Sequence, residues 1–327
     1  MAPRSTLARA GLRAILPPVA MLACLACLQC GGGGNTPTAP TAPPTNPVPP
    51  GTPGPATPPP VPPAAPQVFV GAGDIGWCGS PGPEQTARLL DTIGGTVFTA
   101  GDNAYFHGAR EDFLNCYNPS WGRFRGRTFP VPGNHEYETA GAAPYFEYFG
   151  GFAGSPGLGY YTHELGAEWH AIALNSLINV STGSAQAQWL RDDLAAAADR
   201  GNKCTIAYWH YPLFTSGPNG SQTQMRDFWR ILYAAGVEIV INGHDHLYER
   251  FAPQNPDGGR DDARGIREFI VGTGGATPYN FVSTSANSEA RISNTYGVLK
   301  LTLQSGSYQW EFMPVSGPSD SGTGSCH

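Results

Sequence analysis

The chain has 327 residues, of which 40% are hydrophobic and 13% charged, with 43 glycines and 32 prolines. Its formal net charge is −6, from 25 acidic and 19 basic residues. The sequence contains no run rich in lysine or arginine, which argues against nucleic acid as a main partner.

Residues 1–30 have the features of an export signal. Arg4, Arg9 and Arg13 form a basic start, and an apolar stretch follows from Ala14 to Leu28. The pair Pro17-Pro18 interrupts this stretch, which is too short and too broken for a membrane-spanning helix. We therefore expect an exported protein, located outside the cell, in a periplasm or on the cell surface.

Three cysteines close this segment and raise the question of a lipid anchor. Cys24 and Cys27 each follow an alanine, and Cys30 precedes four glycines. A small residue before a cysteine at this place resembles a bacterial lipoprotein cleavage site. The residues do not decide between these cysteines, and an ordinary signal peptide with incidental cysteines is the alternative. A lipidated N-terminal cysteine would tether the protein to a membrane.

Residues 31–66 have the composition of a disordered linker rich in glycine, proline and threonine. Residues 35–66 contain 15 of the 32 prolines and no charged or aromatic residue, so they cannot bury a core. At about 3.1 Å per residue, this part reaches on the order of 100 Å. We predict one folded domain from Gln67 to His327, which is long enough for a large core.

Five apolar runs of this domain each lead into polar residues: Val68–Val70 into Asp74, Val97–Thr99 into Asp102, Phe129–Val131 into Asn134-His135, Thr205–Trp209 into His210, and Val237–Ile241 into His244. Their β-branched and aromatic content predicts buried strands. Open α/β sheets place their sites at the carboxyl ends of strands. We therefore expect these polar side chains to meet at one edge of a sheet.

Helical patterns lie between the strands, at Pro83–Ile93, Gln186–Ala198 and Gln222–Ala235. The third is preceded by a predicted capping box, Ser221 with Gln224. Tyr145–Phe149 is predicted to be a helical turn, and residues 160–174 to be a hairpin.

The end of the chain has a different pattern, with strands at Glu268–Val271, Tyr296–Leu303 and Tyr308–Phe312 and no helices between them. This indicates a second sheet stacked on the first. The predicted fold is α/β, a four-layer α/β/β/α sandwich of two stacked mixed sheets flanked by helices.

The polar residues at the strand ends are metal-ligand types. Aspartate, asparagine, histidine and tyrosine without a thiolate suit Zn, Fe or Mn. Two such ions about 3.5–4 Å apart can clamp a phosphoryl group and activate a water. The carboxylate of Asp102 has two oxygens and can contact both ions, and a phenolate at Tyr105 favours a trivalent ion such as Fe(III).

Five blocks carry a family resemblance: Asp74-Ile75-Gly76, Gly101-Asp102-Asn103-Ala104-Tyr105, Gly133-Asn134-His135-Glu136, Ile206–His210 and Gly243-His244-Asp245-His246. In type and order they are similar to those of the calcineurin-like metallophosphoesterases, and within these to the purple acid phosphatase branch. The resemblance implies the same four-layer fold and two ligand sets that share Asp102. Fe(III) would be held by Asp74, Tyr105 and His246, and a second Fe, Zn or Mn by Asn134, His210 and His244.

The resemblance also implies that His135 is the acid that steadies the phosphate and helps the leaving group depart. Two positions differ from the family pattern. Ala207 replaces the valine expected three residues before His210, which changes a strand position and not a ligand. Residues 213–220 contain no histidine, although the branch usually has one there, and His107 is considered as a helper.

The function that the resemblance implies is that of an exported phosphohydrolase with two metals. A phosphomonoester would be its substrate and a metal-bridging hydroxide its nucleophile. The alternatives are a phosphodiesterase or nucleotidase with the same site, and a non-catalytic surface module that uses the fold for binding.

The domain contains four cysteines, an even number that indicates two disulfides in an exported protein. Four cysteines allow three pairings. We favour Cys78 with Cys116, because both follow metal-ligand segments, which leaves Cys204 to pair with Cys326.

Overall fold

The computed structural model describes residues 65–166 and 168–327. The predicted export segment, its three cysteines and nearly all of the predicted linker lie outside the described residues. Within the described ranges, no helix has both the length and the apolar character needed to cross a bilayer.

The strands in chain order are β1 (Gln67–Ala72), β2 (Thr96–Ala100), β3 (Thr128–Val131), β4 (Tyr161–Leu165), β5 (Trp169–Ala173), β6 (Cys204–Tyr208), β7 (Ile239–Asn242), β8 (Tyr248–Phe251), β9 (Arg267–Val271), β10 (Ser288–Ile292), β11 (Gly297–Gln304), β12 (Ser307–Pro314) and β13 (Asp320–Ser325). The α-helices are α1 (Gly82–Asp91), α2 (Arg110–Asp112), α3 (Asn134–Tyr137), α4 (Ala143–Phe149), α5 (Ala185–Arg200) and α6 (Arg226–Ala234). Short 3-10 or π segments occupy Phe113–Tyr117, Trp121–Arg127, Ala140–Ala142, Gly150–Ala153 and Thr223–Met225.

These strands form two mixed sheets. The first has the order β13-β12-β11-β1-β2-β3, and the second has the order β10-β8-β9-β7-β6-β5-β4. Strands β1, β2 and β3 run parallel, as do β5, β6, β7 and β9. The other pairings are antiparallel, including β1 with β11. The predicted mixed α/β fold of two sheets is confirmed.

The expectation that five strands share one edge of a single sheet is wrong. Strands β1, β2 and β3 belong to the first sheet, whereas β6 and β7 belong to the second. The late strands are also divided, because β11 and β12 extend the first sheet and β9 joins the second. Antiparallel pairing of β11 with β1 links segments far apart in sequence, which local patterns do not reveal.

The neighbouring residues Ala207 and Tyr208 of β6 show that both faces of the second sheet are covered. Tyr208 points between the sheets, where its ring centroid lies 5.6 Å from that of Phe69 in β1. Ala207 lies in a separate buried cluster with Leu190 of α5 and Phe228 of α6. The period of two along a strand places neighbouring side chains on opposite faces. Ala207 is therefore an apolar strand position, as expected.

Helix boundaries differ from the sequence expectation mainly at α6. A 3-10 turn occupies Thr223–Met225 and the α-helix starts only at Arg226, without a capping box at Ser221. Helix α5 is capped by Ser184, whose Oγ accepts a hydrogen bond from the Ala187 N–H at 3.1 Å. Helix α4 contains the expected helical turn, and β4 and β5 form the expected hairpin.

Both favoured disulfides are present and are confirmed. Cys78 bonds Cys116 across 38 residues, and Cys204 bonds Cys326 across 122 residues. The first holds the loop after β1 against the segment that follows α2. The second joins the start of β6, in one sheet, to the residue after β13, in the other.

Candidate metal centre

The loops after β1, β2, β3, β6 and β7 meet at one end of the two sheets. Parallel strands of one sheet end on the same edge, so three loops come from the first sheet and two from the second. Six of the seven candidate ligands lie on these loops: Asp74, Asp102, Tyr105, His210, His244 and His246. The seventh, Asn134, is the first residue of α3 and directly follows the loop after β3. The structure brings them together.

The first cluster consists of Asp74, Tyr105 and His246. The Tyr105 hydroxyl donates to Asp74 Oδ1 at 2.9 Å and lies 3.1 Å from His246 Nε2. His246 Nε2 lies 3.4 Å from Asp74 Oδ1. Three potential metal-ligand atoms thus face one another inside the protein, and all three side chains are buried.

The second cluster consists of Asn134, His210 and His244. His210 Nε2 lies 3.0 Å from Asn134 Oδ1. Ligand atoms of Asp102, His210 and His244 all lie within 4.8 Å of one another. His244 is only partly buried, so this cluster faces the more open side of the site.

Asp102 joins the clusters through a single oxygen. Its Oδ2 lies 3.2 Å from the Tyr105 hydroxyl and 3.2 Å from His210 Nε2. Its Oδ1 accepts a hydrogen bond from the His135 backbone N–H at 2.9 Å. The sequence had indicated one oxygen for each ion. In the structure a single oxygen, Oδ2, faces both clusters, because Oδ1 accepts a hydrogen bond from the backbone at the start of α3.

The donor separations fit metal coordination. Two ligand atoms about 2.1 Å from one ion and at right angles to each other lie about 3 Å apart. Within the first cluster the separations are 2.9, 3.1 and 3.4 Å, and the Asn134–His210 contact in the second is 3.0 Å. The first cluster has two oxygen donors and one nitrogen donor, and the second has one oxygen and two nitrogens. Both sets suit first-row ions.

Three candidate ligands have backbone conformations that non-glycine residues rarely adopt. The φ angles are +59° for Asp74, +49° for Asp102 and +72° for His244. This left-handed region costs of order 1–2 kcal/mol for an L-residue. Such strain persists where surrounding contacts enforce it, and it concentrates at functional sites.

Glycines beside the ligands provide the space that the clusters need. A Cβ on Gly133 would lie 2.2 Å from Asp102 Oδ1, and a Cβ on Gly101 would lie 2.5 Å from His210 Nδ1. Gly101 also has a φ of +85°. Any larger residue at these positions would displace Asp102 or His210.

Backbone carbonyls orient two of the imidazoles. His210 Nδ1 lies 2.8 Å from the carbonyl oxygen of Ala100, and His246 Nδ1 lies 2.8 Å from that of Thr277. A hydrogen bond at Nδ1 leaves Nε2 as the free nitrogen that can bind a metal. In both residues Nε2 is the atom that faces the cluster.

Glu136 supports the site, although its block gave no indication of this role. Its buried carboxylate accepts hydrogen bonds from the backbone N–H groups of Gly133, Asn103 and Ala104 at 2.7, 2.8 and 3.1 Å. Burial, followed by the charge of Asp102, raises the pKa of Glu136 to about 7. Glu136 therefore ties the Asp102 loop to the start of α3.

His135 lies beside the clusters, and His107 lies farther out. His135 Nε2 is 3.8 Å from Asp102 Oδ2, and its Nδ1 contacts the carbonyl oxygen of Phe106. His107 Nδ1 pairs with Glu138 at 2.6 Å in an exposed position. This ion pair raises the pKa of His107. His107 thus has a carboxylate partner outside both clusters.

The charges of the clusters shift the pKa values of their members. Burial would raise the pKa of Asp102, but the His210 and His135 imidazoles hold it below its usual range. Burial and the carboxylates of Asp74 and Asp102 raise the pKa of Tyr105 well above its usual value. Burial, followed by the charge of His210, lowers the pKa of His244 to about 4. The carboxylates of Asp74 and Asp102 thus favour positive charge between the clusters, while the His244 imidazole stays neutral and can act as a metal ligand.

Aromatic residues that the sequence did not single out border the first cluster. The Tyr279 ring stacks on His246, with centroids 3.9 Å apart and an interplanar angle of 13°. The Trp77 ring lies 5.1 Å from that of Tyr105. Lone aromatic residues in polar loops give no sequence signal of such contacts.

Comparison with known proteins supports this description. A family model described as calcineurin-like phosphoesterase matches residues 62–248, more than half of the chain. Purple acid phosphatase 15 of Arabidopsis thaliana is 29% identical over 198 residues, which cover 50% of this chain and 37% of the plant protein. Purple acid phosphatase 22 of the same plant is 24% identical over 244 residues, which cover 61% of this chain and 54% of that protein.

Among solved structures, purple acid phosphatase PPD1 from yellow lupin (Lupinus luteus) seeds matches with a TM-score of 0.66 and 21% identity. That match covers 80% of this chain and 54% of the lupin chain, and it shows the fold alone. This chain thus spans about a third to a half of the length of these relatives. The family match, the two-sheet fold and the ordered blocks lead to one conclusion: the chain belongs to the calcineurin-like phosphoesterase family.

Proposed function

We propose that this protein is an exported phosphohydrolase with two metal ions and that it hydrolyses phosphomonoesters. The observation that carries the proposal is the position of Asp102 Oδ2, which is 3.2 Å from Tyr105 in one cluster and 3.2 Å from His210 in the other. One carboxylate oxygen that faces two donor sets can serve a pair of neighbouring cations. The purple acid phosphatases among its relatives support the same reaction.

The ligand sets follow from the two clusters. Asp74, Tyr105 and His246 hold an Fe(III) ion together with Asp102. Asn134, His210 and His244 hold an Fe, Zn or Mn ion, again with Asp102. Ions at these positions supply Lewis acidity toward the phosphate and lower the pKa of a water.

The protein itself contributes position and a proton. His135 is fixed by the Phe106 carbonyl at Nδ1, so Nε2 is free on the side that faces Asp102. From there it holds a phosphate oxygen and gives a proton to the departing alkoxide. Backbone donors fix the carboxylates, since Asp74 Oδ2 accepts from the His244 N–H at 2.8 Å and Asp102 Oδ1 from the His135 N–H. Preorganised groups of this kind need no rearrangement during the reaction.

The segment before the domain gives the proposed location. Its basic start and interrupted apolar stretch support export, and its cysteines support a lipid tether at Cys24, Cys27 or Cys30. The two disulfides of the domain fit an oxidising compartment. We propose that residues 31–66 separate the domain from the membrane and that residues 67–327 form the catalytic unit.

Turnover of 4-nitrophenyl phosphate and bis(4-nitrophenyl) phosphate by the purified full chain tests the reaction. Both esters release 4-nitrophenol, so they differ in ester type and not in leaving group. We expect a higher kcat/KM for the monoester, and loss of activity after treatment with a chelator. Faster diester turnover would replace the proposal with a phosphodiesterase. A metal-loaded protein that turns over neither ester would instead be a binding module.

A further inference from the structure

We infer that Trp77 and Phe106 form an aromatic subsite for the organic part of the substrate, so that the enzyme prefers phosphate monoesters with an aryl-bearing alcohol. This inference rests on the proposed function and names the substrate class for the same site. We call this pair the aromatic wall.

Phe106 is unusually exposed for its type. Its exposed fraction is 44%, whereas Trp77 is partly buried and the neighbouring Tyr105 is fully buried. The Phe106 ring meets Trp77 edge to face, with centroids 4.4 Å apart, and it lies 6.1 Å from the ring of Tyr105. The wall therefore continues from a candidate metal ligand out to the solvent.

The wall lies on the side where the leaving group must be. The carbonyl oxygen of Phe106 contacts His135 Nδ1, and the His135 ring lies 4.5 Å from that of Tyr105. His135 gives its proton to the leaving oxygen in the proposed reaction. The His135 and Trp77 rings both lie against Tyr105, with centroids 4.5 and 5.1 Å from its ring. We therefore place the carbon skeleton attached to that oxygen beside the aromatic wall.

The wall is held in place before any substrate binds. Cys78 follows Trp77 directly and is bonded to Cys116. The Trp77 N–H donates to the Ile75 carbonyl at 2.8 Å, and the Trp77 carbonyl accepts from the Ser80 N–H at 3.1 Å. A rigid aromatic surface loses little conformational entropy when a ring packs on it. Aromatic pairs also gain from edge-to-face and offset contacts.

Two alkyl esters with nearly equal leaving groups isolate the contribution of the ring. For the full-length wild type, we expect kcat/KM to be about tenfold higher for 3-phenylpropyl phosphate than for propyl phosphate. Phe106→Ala should reduce this ratio by about fivefold, and Trp77→Ala should do the same. Phe106→Ala keeps the backbone carbonyl that contacts His135, so His135 should stay in position. The rate with propyl phosphate should therefore change less than the ratio between the two esters.

Leu114→Ala is the matched control, because Leu114 is 45% exposed but does not belong to the wall. It should leave both rates and their ratio unchanged. Phe106→Leu tests the need for an aromatic ring with little change in apolar surface, and it should give an intermediate ratio. A ratio near one in the wild type, or an unchanged ratio in Phe106→Ala and Trp77→Ala, would overturn the inference.

A binding measurement separates failure of the subsite from failure of the proposed reaction. Calorimetry should show that 3-phenylpropyl phosphonate binds the metal-loaded protein more tightly than propyl phosphonate, and that Phe106→Ala removes most of the difference. If this holds while no ester is hydrolysed, the subsite stands and the proposed reaction fails. Equal binding of the two phosphonates would count against the subsite.

Discussion

The two ligand clusters share Asp102 but differ in charge and in access to solvent. The first combines the Asp74 carboxylate and the Tyr105 phenol with one imidazole, and its side chains are buried. The second combines the neutral amide of Asn134 with two imidazoles, and His244 is partly exposed. Harder, more anionic donors favour a more highly charged ion. For the proposed two-metal site, we therefore expect a tightly held ion in the first cluster and a more exchangeable one in the second.

Asp102→Ala tests what the clusters have in common and should have the largest effect. Since Asp102 Oδ2 faces both donor sets, its removal should release metal from both and lower kcat/KM by more than about 10³-fold. Elemental analysis and steady-state kinetics check this. Asp257→Ala, at a side chain that is 76% exposed, is the control and should change neither quantity. Full metal content in Asp102→Ala would refute the shared ligand.

His135→Ala separates chemistry from metal binding. His135 Nε2 lies 3.8 Å from Asp102 and belongs to neither donor set. We expect turnover to fall by about 10²-fold, the contribution of a positioned general acid, while metal content stays at the wild-type level. Loss of metal from this variant would show that the residue is a ligand and that its role is misassigned.

Tyr105→Phe tests the anionic character of the first cluster alone. With Fe(III) bound, the wild type should be coloured by a tyrosinate-to-iron transition, and the variant should lose this visible absorption. We expect about a tenfold loss of activity, because the other ligands remain. Absorption spectra and metal analysis of both proteins check this. A colourless wild type with Zn or Mn bound would contradict the assignment of Fe(III).

His170→Gln tests a buried histidine outside both clusters and should have the smallest effect. Its Nε2 lies 2.7 Å from Asp193 and its Nδ1 3.0 Å from Glu164. Burial would lower the pKa of His170, but the hydrogen bond and charge of Asp193, with those of Glu164, raise it. The resulting stability is complete below the unfolded pKa of about 6.5 and is lost as pH rises through the folded value.

His170→Gln should therefore reduce the free energy of unfolding by about 2 kcal/mol at pH 5 and by less at pH 9. Denaturant unfolding of wild type and variant at both pH values measures the difference, and phosphatase activity should persist at pH 5. An equal loss of stability at the two pH values would mean that protonation of His170 does not contribute.

The sequence predicted the two-sheet α/β fold, which is confirmed, and the loops that carry the candidate ligands, but not which sheet each strand joins. Each candidate ligand follows a short apolar run, and this local pattern survives whichever sheet the run joins. The sequence did not predict that β3 and β6 belong to different sheets. Both strands are apolar, and the alternation of residues along a strand does not identify the strands with which it pairs. Tyr279 and Trp77 were missed for a related reason. Their contacts with His246 and Tyr105 bring together residues that are 33 and 28 positions apart.

Metal stoichiometry tests the central claim most directly. Elemental analysis of the natively purified full chain, with protein measured by amino-acid analysis, gives the number of ions per chain. Two ions that share Asp102 predict a ratio of two, with iron making up at least half. A ratio of one or less that persists after incubation with Fe, Zn and Mn would contradict the two-metal site.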